Sequence, residues 1–166
     1  MFQDKRVQAN SPASDALSLR MTDHREIQAL FAQYDRLVTQ GAIGEARRAL
    51  AETICMTLTV HITAEEELFY PAAFGAIGDQ DVLREAAAMH HSARHLIADI
   101  VDMTSSDPML DTSMKLLNER VDHHMLEEQR RLFPRLRTAG SDLGLLGARI
   151  AERKGELMAE MQEIEA

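Results

Sequence analysis

Two segments of the sequence carry a histidine followed four residues later by a glutamate. They are His61 with Glu65 and His124 with Glu128. In an α-helix, residues i and i+4 lie on one face, about 6 Å apart along the axis. Each pair can therefore direct an imidazole nitrogen and a carboxylate oxygen at one point, which is a typical donor set for a metal ion. One such pair is weak evidence, because the spacing often arises by chance.

The surroundings of the two pairs match, which strengthens the interpretation. His61 precedes Pro71 by ten residues, and His124 precedes Pro134 by the same interval. Two further histidines also stand in matching surroundings, since His24 and His90 each lie six residues before a leucine. We infer that the chain repeats one helical hairpin twice, and that each copy carries one histidine followed by one His-x3-Glu pair.

The predicted turns test whether these residues can meet. In an up-and-down bundle, two residues share a layer when they lie equally far from the turn that joins their helices. The midpoints between the four histidines, taken in chain order, fall in the segment 41–44, at Gly75 and at Asp107. Glycine, proline and capping signals predict turns at the same places without any use of the histidines, with Gly75 and Gly78 together marking the second connection. Four histidines and two glutamates should therefore meet in one layer.

Such a layer would need a cation, because buried polar groups without partners cost several kcal/mol. Two carboxylates that can bridge suit a pair of metal ions better than a single ion. Nitrogen and oxygen donors without thiolate suit iron or manganese, and zinc is an alternative. Two histidines per ion would leave coordination positions open for a small ligand.

Apolar periodicity and end signals predict five helices in a chain of 166 residues that is rich in helix-forming residues. Their expected ranges are about 15–40, 44–70, 80–103, 108–133 and 142–164. Pro71 and Pro134 are expected to end the second and fourth helices, because proline disfavours helical geometry in the residue before it. Asp79 is expected to cap the third.

The predicted fold class is therefore all-α. Short connections favour an up-and-down antiparallel four-helix bundle over residues 14–137. A flexible N-terminal tail is expected at 1–13, and an additional C-terminal helix lies in an extension at 138–166. Apolar residues recur every seven positions along that helix. We expect this stripe to pack across the bundle or against a second copy of the chain.

Composition excludes several classes of partner. The formal net charge is −9, and such an acidic surface repels nucleic acid and anionic lipid. The sequence contains no apolar stretch long enough for a membrane span, and the N-terminal segment lacks the apolar core of a secretory signal. Cys55 is the single cysteine, so it has no intrachain disulfide partner. These features predict a cytoplasmic protein without nucleic acid or membrane partners.

The combined motif resembles the hemerythrin-like (HHE cation-binding) family over about residues 17–137. The resemblance rests on Asp23-His24, His61-x3-Glu65-Glu66-Glu67-Leu-Phe-Tyr-Pro71, His90, and His123-His124-x3-Glu128-x4-Phe133-Pro134. It implies two non-haem iron ions bridged by carboxylates and by an oxo or hydroxo group. The ligands that it implies are His24, His61, Glu65, His90, His124 and Glu128. Arg94 stands where oxygen-carrying hemerythrins have a fifth histidine, so the chain resembles the six-ligand bacterial branch.

Three functions are compatible with this resemblance. The first is a protein that binds or senses oxygen, nitric oxide or peroxide, in a stress response or in sensing. The second is an enzyme that detoxifies peroxide, as a weak peroxidase or catalase would, or reduces nitric oxide. The third is an iron-dependent regulator that docks a partner through its last helix. That helix could also form a homodimer.

Other residues able to do chemistry are expected outside the centre. They are Tyr34, Cys55, Glu66, Glu67, Tyr70, His91, His95, His123 and Glu127. Of these, Glu66, Glu67 and Glu127 are expected to be solvated, with an approach of Glu66 to the metals through water as an alternative. Cys55 is expected to be a small buried hydrophobe. The tyrosines Tyr34 and Tyr70 are expected to pack rather than to reach the metals.

Overall fold

The computed structural model describes residues 15–165, and helices make up nearly all of that range. The helices are α1 (Ala16–Thr39), α2 (Gly44–Ala64), α3 (Tyr70–Ile77), α4 (Gln80–Asp102), α5 (Leu110–Glu127), α6 (Phe133–Thr138) and α7 (Leu143–Glu165). Two π-helical turns, Glu65–Phe69 and Glu128–Leu132, join α2 to α3 and α5 to α6 without a break. The part of the chain described contains no strand, which confirms the all-α prediction. The predicted tail, 1–13, lies outside the described residues.

The two predicted hairpins are present as α1 with α2 and as α4 with α5, and α2 also packs against α4. Capping fixes where the helices begin. The Asp15 carboxylate accepts a hydrogen bond at the start of α1, and Asp79 does the same for α4. Gly44 opens α2 at a place where its backbone lies against the carbonyl of Ser105, so that an added Cβ would clash. The first turn of α2 therefore fits tightly against the α4–α5 connection.

The core consists of two apolar clusters separated along the bundle. One lies between the four main helices and includes Phe31, Leu58 and Leu117. The other includes Phe69 and Phe133 and extends under α7. On each main helix the predicted metal ligands fall between residues of these two clusters, so a polar layer divides the apolar core.

The expectation that the prolines end two helices is wrong. Before each proline the helix widens into a π-turn, in which the N–H of Tyr70 bonds to the carbonyl of Glu65 and the N–H of Phe133 bonds to that of Glu128. A wider turn accommodates the proline ring and its missing N–H, so that the helix continues beyond it. The second connection, predicted at Gly75 and Gly78, is confirmed at Gly78, whereas Gly75 lies within α3.

The α2–α3 segment instead ends at Gly78, whose φ is 72°. Glycine adopts this left-handed conformation without steric cost. At the next connection, Asp107 accepts a hydrogen bond from the N–H of Met109 at 2.8 Å, and α5 begins at Leu110 rather than at the predicted 108.

Helix α7 packs against α1, α2 and the first π-turn. Ile150 and Leu157 of its apolar stripe are buried, whereas Ile164 is 84 % exposed. Most of the stripe is thus covered within the chain itself, which agrees with the expectation that it packs across the bundle. The stripe therefore gives no reason to require a second copy of the protein.

Candidate metal centre

The structure brings together all six residues that the sequence predicts as metal ligands. His24 comes from α1, His61 from α2, His90 from α4 and His124 from α5. The two glutamates are the first residues of the two π-turns. Five of the six are buried, and the side chain of His124 is 11 % exposed. The candidate centre therefore lies inside the bundle, with His124 nearest to solvent.

The donor atoms form two groups that share Glu65. His24, His61, Glu65 and Glu128 offer atoms that all lie within 4.8 Å of one another, and so do Glu65, His90 and His124. The two carboxylate oxygens of Glu65 face different histidines. Oε1 lies 2.9 Å from His61 Nε2, and Oε2 lies 3.0 Å from His90 Nε2. Glu65 therefore connects the two hairpins.

Glu128 makes the corresponding connection. Its Oε2 lies 3.1 Å from His24 Nε2, and its Oε1 lies 3.2 Å from His124 Nε2. Each carboxylate thus spans one histidine of the first hairpin and one histidine of the second. Neither glutamate therefore pairs only with the histidine of its own helix.

The arrangement leaves buried polar atoms that a cation would satisfy. Among the described residues, His24 Nε2, His61 Nε2, Glu65 Oε1 and Glu128 Oε2 have no hydrogen-bond partner. They lie close to one another, yet their approach lacks the geometry of a hydrogen bond. Buried polar atoms without partners cost free energy, whereas converging nitrogen and oxygen lone pairs suit a metal ion. The donor set fits the implied metal.

Two equivalent contacts orient the histidines of α1 and α4. Nδ1 of His90 lies 3.1 Å from a carboxylate oxygen of Glu66, and Nδ1 of His24 lies 2.8 Å from the side-chain amide of Gln129. Glu66 and Gln129 each follow a bridging glutamate directly. A carboxylate accepts from Nδ1–H, and so does an amide oxygen once the amide is rotated. Such contacts turn Nε2 toward the centre.

His61 is oriented by a buried charge pair that sequence analysis did not find. Its Nδ1 lies 3.4 Å from Asp23 Oδ2, and that oxygen also accepts from Arg20 at 2.8 Å. Lys154 of α7 contacts the other oxygen at 2.5 Å. Burial raises the pKa of Asp23, but His61, Arg20 and Lys154 outweigh this and hold it well below its usual value. Asp23 is therefore ionised and fixed in place.

The charges of the centre are also paired without metal. Burial raises the pKa of Glu65, but His61 and the other histidines outweigh burial, so that the pKa lies well below its usual value. Burial lowers the pKa of His124, but Glu128 and Glu65 outweigh it and raise the pKa to about 10. A metal ion binds only a histidine nitrogen that has lost its proton, so metal binding should release protons from these histidines.

The expectation that Tyr70 only packs is wrong. Its hydroxyl donates to Glu128 Oε1 and lies 3.1 Å from His124 Nε2. It also lies 3.4 Å from Glu65 Oε2. In an α-helix, residues five apart point about 140° apart, but the i→i+5 bond of the π-turn places Tyr70 over Glu65. The spacing Glu-x4-aromatic-Pro was the signal in the sequence.

The second hairpin has Phe133 at the equivalent position, also five residues after its glutamate and directly before a proline. Its ring stacks on His24, with centroids 5.8 Å apart and planes 16° apart. Burial and the nearby Glu128 and Glu65 raise the pKa of Tyr70 well above its usual value. One end of the centre therefore has a protonated hydroxyl, and the other has an apolar ring.

The other candidates mostly lie where the sequence predicts them. His91 and His95 are exposed and contact each other at 3.1 Å, and Cys55 is buried. Glu66 is exposed, as expected, and its carboxylate also contacts His90 directly. Arg94, at the position of the missing fifth histidine, donates to Glu66 at 2.9 Å. This arginine holds the carboxylate that orients His90.

Tyr34 packs away from the centre and donates to Asp111 at 2.7 Å. Glu67 pairs with Arg153 of α7. Glu127 pairs with Arg131. None of these contacts involves a candidate ligand.

A cavity of about 560 Å³ opens between α4 and α5 and reaches the centre at Tyr70, His124 and Glu128. Its wall includes Ala86 and Met89 of α4. The candidate ligands are otherwise enclosed by the apolar clusters. The cavity therefore connects the centre with solvent on one side.

Comparison with known proteins agrees with this site. A family model for the hemerythrin HHE cation binding domain matches residues 15–136. The crystal structure of a hemerythrin HHE cation binding domain-containing protein from Mycobacterium kansasii is similar in fold, with a TM-score of 0.71, 21% sequence identity and 88% of each chain covered. No curated protein matches the chain. No helix in the described residues is long and apolar enough to cross a membrane. Since the family model covers most of the chain, this protein belongs to the hemerythrin HHE cation-binding domain family.

Proposed function

We propose that the chain is a non-haem di-iron protein whose centre binds a small ligand such as oxygen, nitric oxide or peroxide. The observation that carries this proposal is that Glu65 and Glu128 each face one histidine of either hairpin. This favours one ion held by His24 and His61 and a second held by His90 and His124, with both carboxylates as bridges. Imidazole and carboxylate donors without thiolate suit iron or manganese, and the family resemblance favours iron.

The chain's own side chains prepare the centre for a small ligand. Two histidines and two shared carboxylates per ion leave coordination positions open. Bound iron would supply reversible ligand binding and electron transfer there. The Tyr70 hydroxyl, which keeps its proton because its pKa is raised, lies at the same end as His124. By releasing Glu128 it can donate its one hydrogen bond to a ligand. Phe69 and Phe133 are buried beside the centre and exclude water.

Metal analysis tests the first part of the proposal. Protein expressed in iron-rich medium should contain two iron ions per chain. One tightly held zinc ion per chain, with no iron, would contradict it. The stress-response setting, the cytoplasmic location and a homodimer remain predictions from the sequence.

A second candidate function is turnover of peroxide or nitric oxide, and the Tyr70 hydroxyl favours it because a protonated group lies beside the open positions. The di-ferrous protein, prepared without air, should be mixed in turn with oxygen, nitric oxide and peroxide. A stable, reversible adduct supports binding, whereas sustained consumption supports an enzyme.

Tyr70→Phe and Tyr34→Phe form a matched pair for this experiment, because both tyrosines are buried and donate to a carboxylate. Removal of a proton donor typically slows a catalysed step by about 100-fold or more. We expect Tyr70→Phe to slow turnover, or to destabilise the adduct, while Tyr34→Phe leaves both unchanged. Equal effects of the two variants would show that the Tyr70 hydroxyl has no special role.

A further inference from the structure

The repeat allows the two sides of the bundle to be compared residue by residue. His24 of α1 corresponds to His90 of α4, and His61 of α2 corresponds to His124 of α5. Any position on the first hairpin therefore has an equivalent on the second. Differences between equivalent positions show how each side of the centre has been built.

The α1–α2 side is closed next to the centre. Arg20 and Asp23 lie against His61, and both are buried. Helix α7 covers this side and places Lys154 on Asp23. Phe133 stacks on His24. A ligand cannot approach the centre from this side without displacing a buried ion pair.

The α4–α5 side is open. Ala86 and Met89 take the places that correspond to Arg20 and Asp23. They line the cavity of about 560 Å³. Tyr70, which corresponds to Phe133, lies at its inner end. The small side chain of Ala86 therefore leaves the space that Arg20 fills on α1, and Met89 places an apolar side chain where α1 has the charge of Asp23.

The open side is not a vacant copy of the α7 site. On α2, Val60 and Ala64 are apolar and buried in the cluster that packs against α7. Their equivalents on α5 are His123, which is exposed, and Glu127, which is half-buried. Polar residues at these positions favour contact with water, so this side forms the solvent-exposed opening, or mouth, of the cavity and does not suit the docking of a helix.

The mouth carries charges of both signs. Arg131 bridges Glu85 of α4 at 2.8 Å and Glu127 of α5 at 3.1 Å. The inner wall is mostly apolar, with Val82 and Leu132 beside Ala86 and Met89. Glu128 at the inner end would repel an anion. An uncharged ligand with an apolar body fits this surface best.

The size of the cavity bears on the ligand. A water molecule occupies about 30 Å³ in the liquid, and an engineered cavity of about 150 Å³ holds benzene. Cavities that bind organic ligands measure about 300–1,000 Å³. At about 560 Å³, the space between α4 and α5 falls in this class and is far larger than a diatomic gas requires.

We propose that this cavity is a binding site for an uncharged organic molecule with a hydroxyl or hydroperoxide group, which it admits to the His90 and His124 side of the centre. The oxygen group lies next to the Tyr70 hydroxyl, and the apolar body packs against Ala86, Met89 and Leu132. The orientation toward the centre rests on the proposed function, but the binding site itself does not, since its wall is formed mostly by residues other than the candidate ligands, of which only His124 and Glu128 reach its inner end.

The test uses 2-phenyl-2-propanol, an unreactive alcohol of this class, titrated into the full-length protein with and without iron. Binding is followed by NMR of the methionine methyl groups. Met89 lines the cavity, whereas Met158 lies beside α1 and α7. We expect a saturable shift of the Met89 signal and no shift of the Met158 signal. Absence of saturation, or a shift of Met158 instead, would overturn the proposal.

Ala88 and Ala87 provide a matched pair of variants. Both are exposed neighbours on α4, so neither substitution should prevent folding, but only Ala88 lines the cavity. Ala88→Trp should weaken binding of the alcohol at least about tenfold, which corresponds to about 1.4 kcal/mol, and Ala87→Trp should leave it unchanged. Equal affinities in the two variants would contradict the proposed site.

The outcomes also separate this proposal from the di-iron function. Ala88 is not a candidate ligand, so iron content should be the same in both variants. If the protein takes up no iron from iron-rich medium but binds the alcohol, the cavity site is supported and the di-iron proposal is wrong. Two irons per chain without alcohol binding would do the reverse.

Discussion

The assignment of His90 rather than His95 to the metal centre can be tested by replacing each with alanine. Both residues lie on α4 and differ in their surroundings, since His90 is buried and His95 is exposed. The change in intrinsic helix propensity is the same for both and favours alanine by at most about 0.7 kcal/mol. Any difference between the variants therefore reports on the position and not on the residue type.

The loss at His90 can be estimated from its contacts. Its Nε2 lies 3.0 Å from Glu65 Oε2 and 3.1 Å from His124 Nε2. Loss of a residue that only supports a metal ligand typically weakens binding about 10–100-fold, and loss of a ligand should exceed this. One hundredfold corresponds to about 2.7 kcal/mol. We expect the iron content of His90→Ala to fall from two ions per chain to about one, because the group of donors containing His24 and His61 stays complete.

The assay is metal analysis of both variants after gel filtration, with melting temperatures of the iron-free forms as a check on folding. His95→Ala should keep two iron ions per chain. If His90→Ala keeps both ions while His95→Ala loses one, the assignment of α4 is wrong. Equal metal contents in both variants would show that His90 contributes nothing to the binding of the second ion.

Three further predictions concern stability. Glu65→Ala and Glu128→Ala should each lower the melting temperature of the iron-loaded protein, since polar groups left unsatisfied in the layer cost about 1–3 kcal/mol each; unchanged melting in both would refute the central layer. Urea unfolding should show that Gly75→Ala stabilises the protein by about 0.5–1 kcal/mol, because this helical glycine faces open space. Gly44→Ala should destabilise the protein by about 1–3 kcal/mol, because the added Cβ clashes with backbone. Stability changes of the same sign in the two variants would contradict these environments. Burial lowers the pKa of His124, but Glu128 and Glu65 outweigh burial and raise this pKa to about 10. The stabilisation from protonated His124 is therefore complete below about pH 6.5 and is lost as the pH rises toward 10. The melting temperature of the iron-free protein should fall over this range, and a flat profile would refute the pairing of His124 with the two glutamates.

The central layer could be predicted because it depends on local rules. The i,i+4 spacing of His61 and Glu65 fixes a common helical face, and the repeat places the second pair opposite. Matching distances to the turns then bring His24 and His90 to the same level. The error at Gly75 did not disturb this, because His90 meets Glu65, and the midpoint of these two residues lies next to the actual turn at Gly78.

The surroundings of the layer could not be predicted in the same way. Arg20 looks like an ordinary surface residue in the sequence, and its burial depends on Asp23 and on the packing of α7. The contact of Tyr70 with the centre depends on the π-turn, since α-helical periodicity would direct this side chain about 140° away from Glu65. The open cavity arises from the side of the bundle that α7 leaves uncovered, and no local pattern in the sequence specifies that side.

The two π-turns tie the length of each interval to the type of helix that spans it. Five residues separate Glu65 from Tyr70, and only a π-turn places residues five apart on one face. If the same residues formed an α-helix, Phe69 rather than Tyr70 would share the face of Glu65. Deletion of one residue from the interval, with a return to α-helical hydrogen bonding, would bring Tyr70 four positions from the glutamate and so keep it on that face. An inserted residue would instead turn the aromatic side chain about 100° away. Single-residue deletions should therefore be accepted within this interval, whereas insertions should be accepted only between the helices, as at the Gly41 connection.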